Sequence, residues 1–126
     1  MIFSKYSLVL VNEDKVVFQS SLSGLRPLVE CVKTNAGGNC ILYDKVIGLA
    51  AARIIVHSGL ISKVVTPLAS YPAKKLLEED GITVEADEVV EKILNKDKTA
   101  PCPMEVKALE MDNEQFFKFM IGKFGG

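Results

Sequence analysis

Between Val46 and Val56 the chain reads VIGLAAARIIV, apolar at every position except Gly48 and Arg53. A helix that is apolar nearly all round must be covered on most of its circumference. The three alanines and Gly48 permit close approach to a sheet or a ligand. The run is too short and too interrupted to span a membrane, with Arg53 inside the best candidate. At 126 residues, 48% hydrophobic and 25% charged, the chain is expected to form one domain, residues 1–126, with a real core.

The flanking segments supply the sheet. YSLVLV (6–11) and KVVFQ (15–19) read as two strands joined by the turn NEDK. A helix follows, with Leu25, Leu28, Val29 and Val32 on one face, Ser23 as cap, Pro27 in its first turn and Gly37-Gly38 at its end. NCILY (39–43) reads as a strand leading into a helix over 44–57. SKVVTPLA (62–69) is the next strand, with Pro67 near its end. Residues 70–81 read as a helix capped by Ser70, and ITVEA (82–86) as a strand. Asp87 is expected to cap a helix in EVVEKILN. Residues 96–103 read as a loop and MEVKALE as a short turn. Asp112 caps a last helix rich in phenylalanine, expected to pack on the sheet. The order, a β-hairpin, a helix, then βαβαβ, predicts an α/β fold with a five-stranded mixed sheet and helices on both faces.

Charge and composition exclude several functions. The net charge of −1 lacks the electrostatic footprint of a nucleic-acid binder, and no Trp is present to stack on bases. The opening residues carry Lys5 and do not read as a leader or membrane anchor. Three cysteines, Cys31, Cys40 and Cys102, without a CxxC pair read as reduced thiols of a cytoplasmic protein. Exposed phenylalanines on the last helix would indicate a partner surface or homodimer.

The candidate site follows from topology. In open α/β sheets, ligands sit beyond the carboxyl ends of strands, beside the next helix N-termini. Two such junctions are visible, Tyr43-Asp44-Lys45 and Ala69-Ser70-Tyr71-Pro72. Asp44 is either a helix N-cap or a functional carboxylate. Lys45 opposes the helix dipole in a first turn, which marks it as a candidate anion-binding cation. Ser70 is either a cap or a ligand contact, with Tyr71 beside it. Cys102, between Pro101 and Pro103, is either a half-buried structural thiol or a nucleophile activated at a helix start.

The words LVLVNEDKVVF, YDKVIGLAAA and NKDKTAPCPME together resemble the domain of unknown function 1893 family, placed by fold in the cytidine-deaminase-like superfamily. The shared patterns D-K-V-x-G-x-A-A and C-P-M-E fall within residues 5–110. The resemblance implies a three-layer α/β/α cytidine-deaminase-like fold and no settled reaction. In the family pattern a second lysine follows the glycine; Leu49 stands there instead. Zinc deamination needs a His or Cys opening the central helix, a Glu two residues later and P-C-x-x-C opening the next helix. Here those places hold Asp44, Val46 and SYPAKK, so the zinc site is lacking and no cofactor is expected. PCPME carries Glu105 where a second cysteine would stand.

These readings converge on an expectation. The crevice binds a small nucleotide-like or anionic metabolite, with Asp44, Lys45 and Cys102 as candidate catalytic groups. Lys45, Gly48, Ser70, Tyr71 and Glu105 are the expected ligand contacts. The rival expectation is a non-catalytic regulatory or interaction module on the same scaffold.

Overall fold

The structure is a computed structural model that describes residues 5–22, 24–35, 38–94, 100 and 102–123. It opens with strands β1 (Leu8–Asn12) and β2 (Lys15–Ser20). They pair antiparallel through a two-residue turn. Glu13 and Asp14 adopt φ of 51° and 66° there, the left-handed pair that matches strand twist in a tight hairpin. Helix α1 (Arg26–Thr34) follows, with Pro27 in its first turn. The proposed cap Ser23 and stop Gly37 lie outside the described residues.

Strand β3 (Cys40–Asp44) pairs antiparallel with β1 and parallel with β5 (Ile61–Ser70). The expected helix over 44–57 starts five residues later than the sequence reading placed it. Val46-Ile47 form a short strand β4, and helix α2 (Leu49–Ser58) begins after Gly48. β-branched residues favour a strand, and a glycine costs a helix interior roughly 1 kcal/mol. The helix stops at Gly59, which takes a left-handed conformation.

Both β3 and β4 run parallel to β5, at Cys40–Tyr43 and Val46–Ile47, with a break at Asp44-Lys45. Pro67 of β5 falls opposite that break, between the paired positions Val65 and Leu68. Proline has no N–H to give a ladder, so the gap sits where a donor is missing. The Thr66 hydroxyl exchanges hydrogen bonds with the Leu68 carbonyl and N–H, at 3.0 and 3.2 Å.

Helix α3 (Tyr71–Glu79) leads to β6 (Thr83–Val90), parallel to β5 on its other edge. β6 runs through the segment expected to be a helix from Asp87, because Val89 and Val90 continue the pairing with Ala69 and Ser70. The short turn MEVKALE is instead helix α4 (Pro103–Leu109). Helix α5 (Asn113–Lys123) closes the described chain. Asp112 caps it as expected: Gln115 N–H donates to Asp112 Oδ1 at 2.7 Å, and Asp112 N–H donates to Gln115 Oε1 at 3.1 Å.

The sheet therefore has six strands rather than five. Among the described elements the other four helices each pack against α2. α1 packs on β1, β2 and α2, and α3 packs on β5, β6 and α2, while α4 and α5 lie against α2. Because β3, β5 and β6 lie in sequence order, successive right-handed crossovers place α2 and α3 on one side. Leu8, Leu10, Leu42, Val64, Ile54, Leu77 and Phe116 form the core between. The opposite face carries the exposed ion pair Lys63–Glu85, 2.9 Å apart. The last helix packs on α2 rather than on the sheet. Its phenylalanines turn inward: Phe116 is buried, and Phe117 and Phe119 are half-buried against the core. Phe124 lies outside the described residues.

Candidate functional site

A cavity of about 380 Å³ opens where β3 ends and α2 begins. Asp44, Lys45, Gly48, Cys102 and Glu105 all line it, although 53 or more residues of chain separate the last two from the first three. Leu8, Leu25, Pro27, Ala50 and Met104 supply apolar wall. The break at Asp44-Lys45 explains why the site is here. Pairing with β5 lapses there, while on the other side Asp44 stays paired with Leu8 of β1 and Lys45 donates its N–H to the Ser7 carbonyl at 3.1 Å.

Asp44 is not a helix cap, since α2 starts at Leu49. Burial pushes its carboxyl up to about 7, and the nearby backbone N–H groups of Lys45 and Val46 pull it partly back. Lys45 is exposed at the rim and forms no ion pair among the described residues.

The cap of α2 comes from far away. Glu105 Oε1 accepts from Leu49 N–H and Oε2 from Ala50 N–H, both at 2.7 Å. These are two of the helix's free donors, at the positive end of its dipole. Burial raises the Glu105 carboxyl above its ordinary value, while the Ala50 and Leu49 N–H groups oppose the rise. A Cβ on Gly48 would stand 2.3 Å from Glu105 Oε1 and 2.5 Å from its carboxyl carbon. Gly48 thus makes room for the carboxylate.

Arg53, the one charge in the apolar run, ties the same helix to the C-terminal elements. Its Nε donates to the Ala108 carbonyl at 2.6 Å and its Nη1 to Asn113 Oδ1 at 2.9 Å. Cys102 is half-buried at the N-cap position of α4. Cys31 and Cys40 are buried core residues, as expected. The Cys31 thiol is pushed up to about 12, by burial first and then by the neighbouring Cys40 and Asp44.

Two expected contacts lie off the cavity. Ser70 is buried and its Oγ accepts from Ala73 N–H at 3.2 Å, capping α3. Tyr71 is 63% exposed beside Pro72, Val89 and Val90. The cause is an offset between strand ends. Tyr43 pairs with Val65, so β5 runs on past Asp44 for about four residues, roughly 13 Å, before it ends at Ser70. The sequence reading missed the Glu105 cap and the Arg53 ties. Their signals were a helix start without Ser, Thr, Asp or Asn, and an arginine inside an apolar run.

Among the described residues no group of three or more His, Cys, Asp or Glu is placed to hold a metal ion. Asp44, Cys102 and Glu105 share the cavity without forming one. No helix among the described residues is long and apolar enough to cross a membrane.

The family model described as TM1506, domain of unknown function (DUF1893), matches residues 2–124. The chain is similar in structure to a DUF1893 family protein (TM1506) from Thermotoga maritima, with a TM-score of 0.86 and 32% identity. That similarity covers 97% of this chain and 84% of the other. No curated protein matches.

Proposed function

Because the chain belongs to the DUF1893 family, whose description assigns no activity, we propose a role from the cavity itself: it binds a small nucleotide-like metabolite. One observation carries this reading. Polar groups from distant stretches, Asp44, Lys45, Cys102 and Glu105, meet in a single apolar-walled hollow, the usual build of a small-molecule site. The walls offer apolar surface to a heterocycle. Asp44 suits its N–H edge, since a carboxyl poised near neutrality offers either a donor or an acceptor.

The charge layout limits where an anionic group fits. The N–H groups at the head of α2, the natural seat for a phosphate, already hold the Glu105 carboxylate. An anion is therefore held at the rim by Lys45. Three free thiols among the described residues support a reducing, cytoplasmic setting. The order of strands and helices supports a relation to the cytidine-deaminase-like superfamily, with the zinc chemistry lost. The donors present do not fit zinc, because α2 opens with Leu49 and α3 with Tyr71, neither a metal ligand of that chemistry, and no group of three or more His, Cys, Asp or Glu is gathered among the described residues.

A thermal-shift panel of nucleosides, nucleotides and phosphosugars tests the reading. A true ligand at a hundredfold excess over its Kd stabilises by about 2.7 kcal/mol. Stabilisation by a panel member that disappears in Asp44→Asn and Lys45→Ala supports the site. A flat response across the panel, with self-association on a sizing column, favours the interaction module instead.

A further inference from the structure

We propose that α4 is a lid on the cavity, hinged at its Arg53-bound end and latched shut at its other end by Glu105. The inference rests on the reading of the cavity as a binding site, and it says how a small molecule enters. α4 brings Met104 and Glu105, and Cys102 at its N-cap, to the cavity wall. Among the described elements α2 is the one it packs on extensively.

The forces holding α4 are few and uneven. Ala108 is its one buried residue, while Val106 is 45% and Leu109 71% exposed. Met104 is half-buried against the core, so apolar burial rests on Ala108 and Met104, and segments with few buried apolar contacts are the first to open. Two side-chain attachments sit at opposite ends, and a backbone bond from Cys102 N–H to the Ile93 carbonyl, 2.9 Å, joins the cavity end to the chain before it. Arg53 grips the Ala108 carbonyl and Asn113 where α4 passes into α5. Glu105 grips the head of α2 at the cavity.

The two attachments differ in kind. At the Arg53 end a guanidinium spans two acceptors on successive elements, so it restrains both. At the cavity end a single side chain carries the polar contact to α2. On release its carboxylate regains water, as do the N–H groups of Leu49 and Ala50. Loss of that contact leaves the Cys102–Glu105 end with one backbone bond, Cys102 N–H to the Ile93 carbonyl at 2.9 Å, so this end opens more often, while the Ala108 end stays attached.

Amide hydrogen exchange on the ligand-free protein tests this, comparing wild type with Glu105→Gln. The glutamine keeps the shape but turns one acceptor into a donor facing an N–H. Expected is exchange about tenfold or more faster at Leu49, Ala50, Val106 and Lys107, with Ile54, Ile55 and Val64 unchanged. A uniform rise at all of these positions, or no rise in α4, would overturn the lid and leave Glu105 as a structural cap. Alkylation of Cys102 by a bulky maleimide gives a second readout, because Cys31 and Cys40 are buried. It should accelerate in Glu105→Gln, and an unchanged rate in folded protein counts against the lid. No ligand enters either measurement, so a lid can be found with a negative ligand panel, and the reverse.

Discussion

Gly48 and Glu105 occupy one space: a methyl group on Gly48 would lie 2.3 Å from Glu105 Oε1. Gly48 has φ −98° and ψ −178°, an extended conformation open to any residue. Gly48→Ala therefore meets the Glu105 carboxylate first, its three nearest neighbours all belonging to that group. We expect it to expel Glu105 and cost about 1–3 kcal/mol, in the range of overpacking. Glu105→Ala alone should cost about 1–2 kcal/mol, as for a lost helix cap. The double variant should be no less stable than Gly48→Ala alone, since its nearest clash is then removed. Urea midpoints of the four proteins measure the coupling, and simple additivity of the two losses would contradict the shared seat.

Asp44 gives a pH prediction whose sign follows from its raised carboxyl. Its folded-state value is about 7 against an ordinary 3.8. Below about pH 4 both folded and unfolded chains hold the proton, and above about pH 7 both have released it. Between these, the folded chain binds the proton that the unfolded chain has lost. Raising the pH through this window therefore removes stability. Burial of the Glu105 carboxyl acts in the same direction. We expect a loss on the order of 2–4 kcal/mol from Asp44 between pH 4 and pH 8. Asp44→Asn should flatten the profile and be the more stable protein at pH 8. Denaturation at pH 4.5, 6 and 8 reads this directly, and a wild type that gains stability across the range would refute it.

The hairpin, the α2 core helix and the capped last helix were all legible because each is written in local chemistry. The NEDK turn, the apolar run and Asp112 followed by Gln115 need no distant partner. The start of α2 was not legible, because its cap is supplied from the other end of the chain. With no local cap to read, Asp44 took that role by default. Val46, Ile47 and Gly48 carried the contrary signal, two strand formers and a poor helix former. The extension of β6 through Asp87 failed for a similar reason. Its pairing with β5 outweighs a helix-like spacing of apolar residues in EVVEKIL. The site was half legible. The strand-end rule located Asp44 and Lys45, but it assumed that neighbouring strands end level, and β5 does not.

Arg53 is legible only once partners are known, and its substitution separates charge from packing. Arg53→Met keeps the aliphatic stem inside the apolar run but removes both donors. The Ala108 carbonyl and Asn113 Oδ1 then lose their partner. We expect a cost of about 1–3 kcal/mol, with faster hydrogen exchange throughout α5 as well as α4. That pattern differs from Glu105→Gln, whose effect should stop at α4. Equal exchange in α5 of wild type and Arg53→Met would show that Phe116 and Met120 alone secure the helix.

Ser70 and Tyr71 provide the test of a role that the geometry moves away from the cavity. Ser70 Oγ is buried and accepts from Ala73 N–H. Ser70→Ala removes the cap of α3 and leaves that donor without a partner, at a cost of about 1 kcal/mol. Tyr71 is mostly in water, so Tyr71→Ala should change stability by less than about 0.5 kcal/mol. Neither variant should alter the shift produced by a ligand that depends on Asp44 and Lys45, once each is referred to its own ligand-free midpoint. The comparison is sharp because Ser70 lies beside Ala69, which pairs with Ile47, one residue before Gly48. A ligand large enough to reach across that strand would feel Ser70→Ala. Weakened binding in Ser70→Ala with its melting curve otherwise intact would extend the site along β5 and overturn the boundary drawn at Gly48.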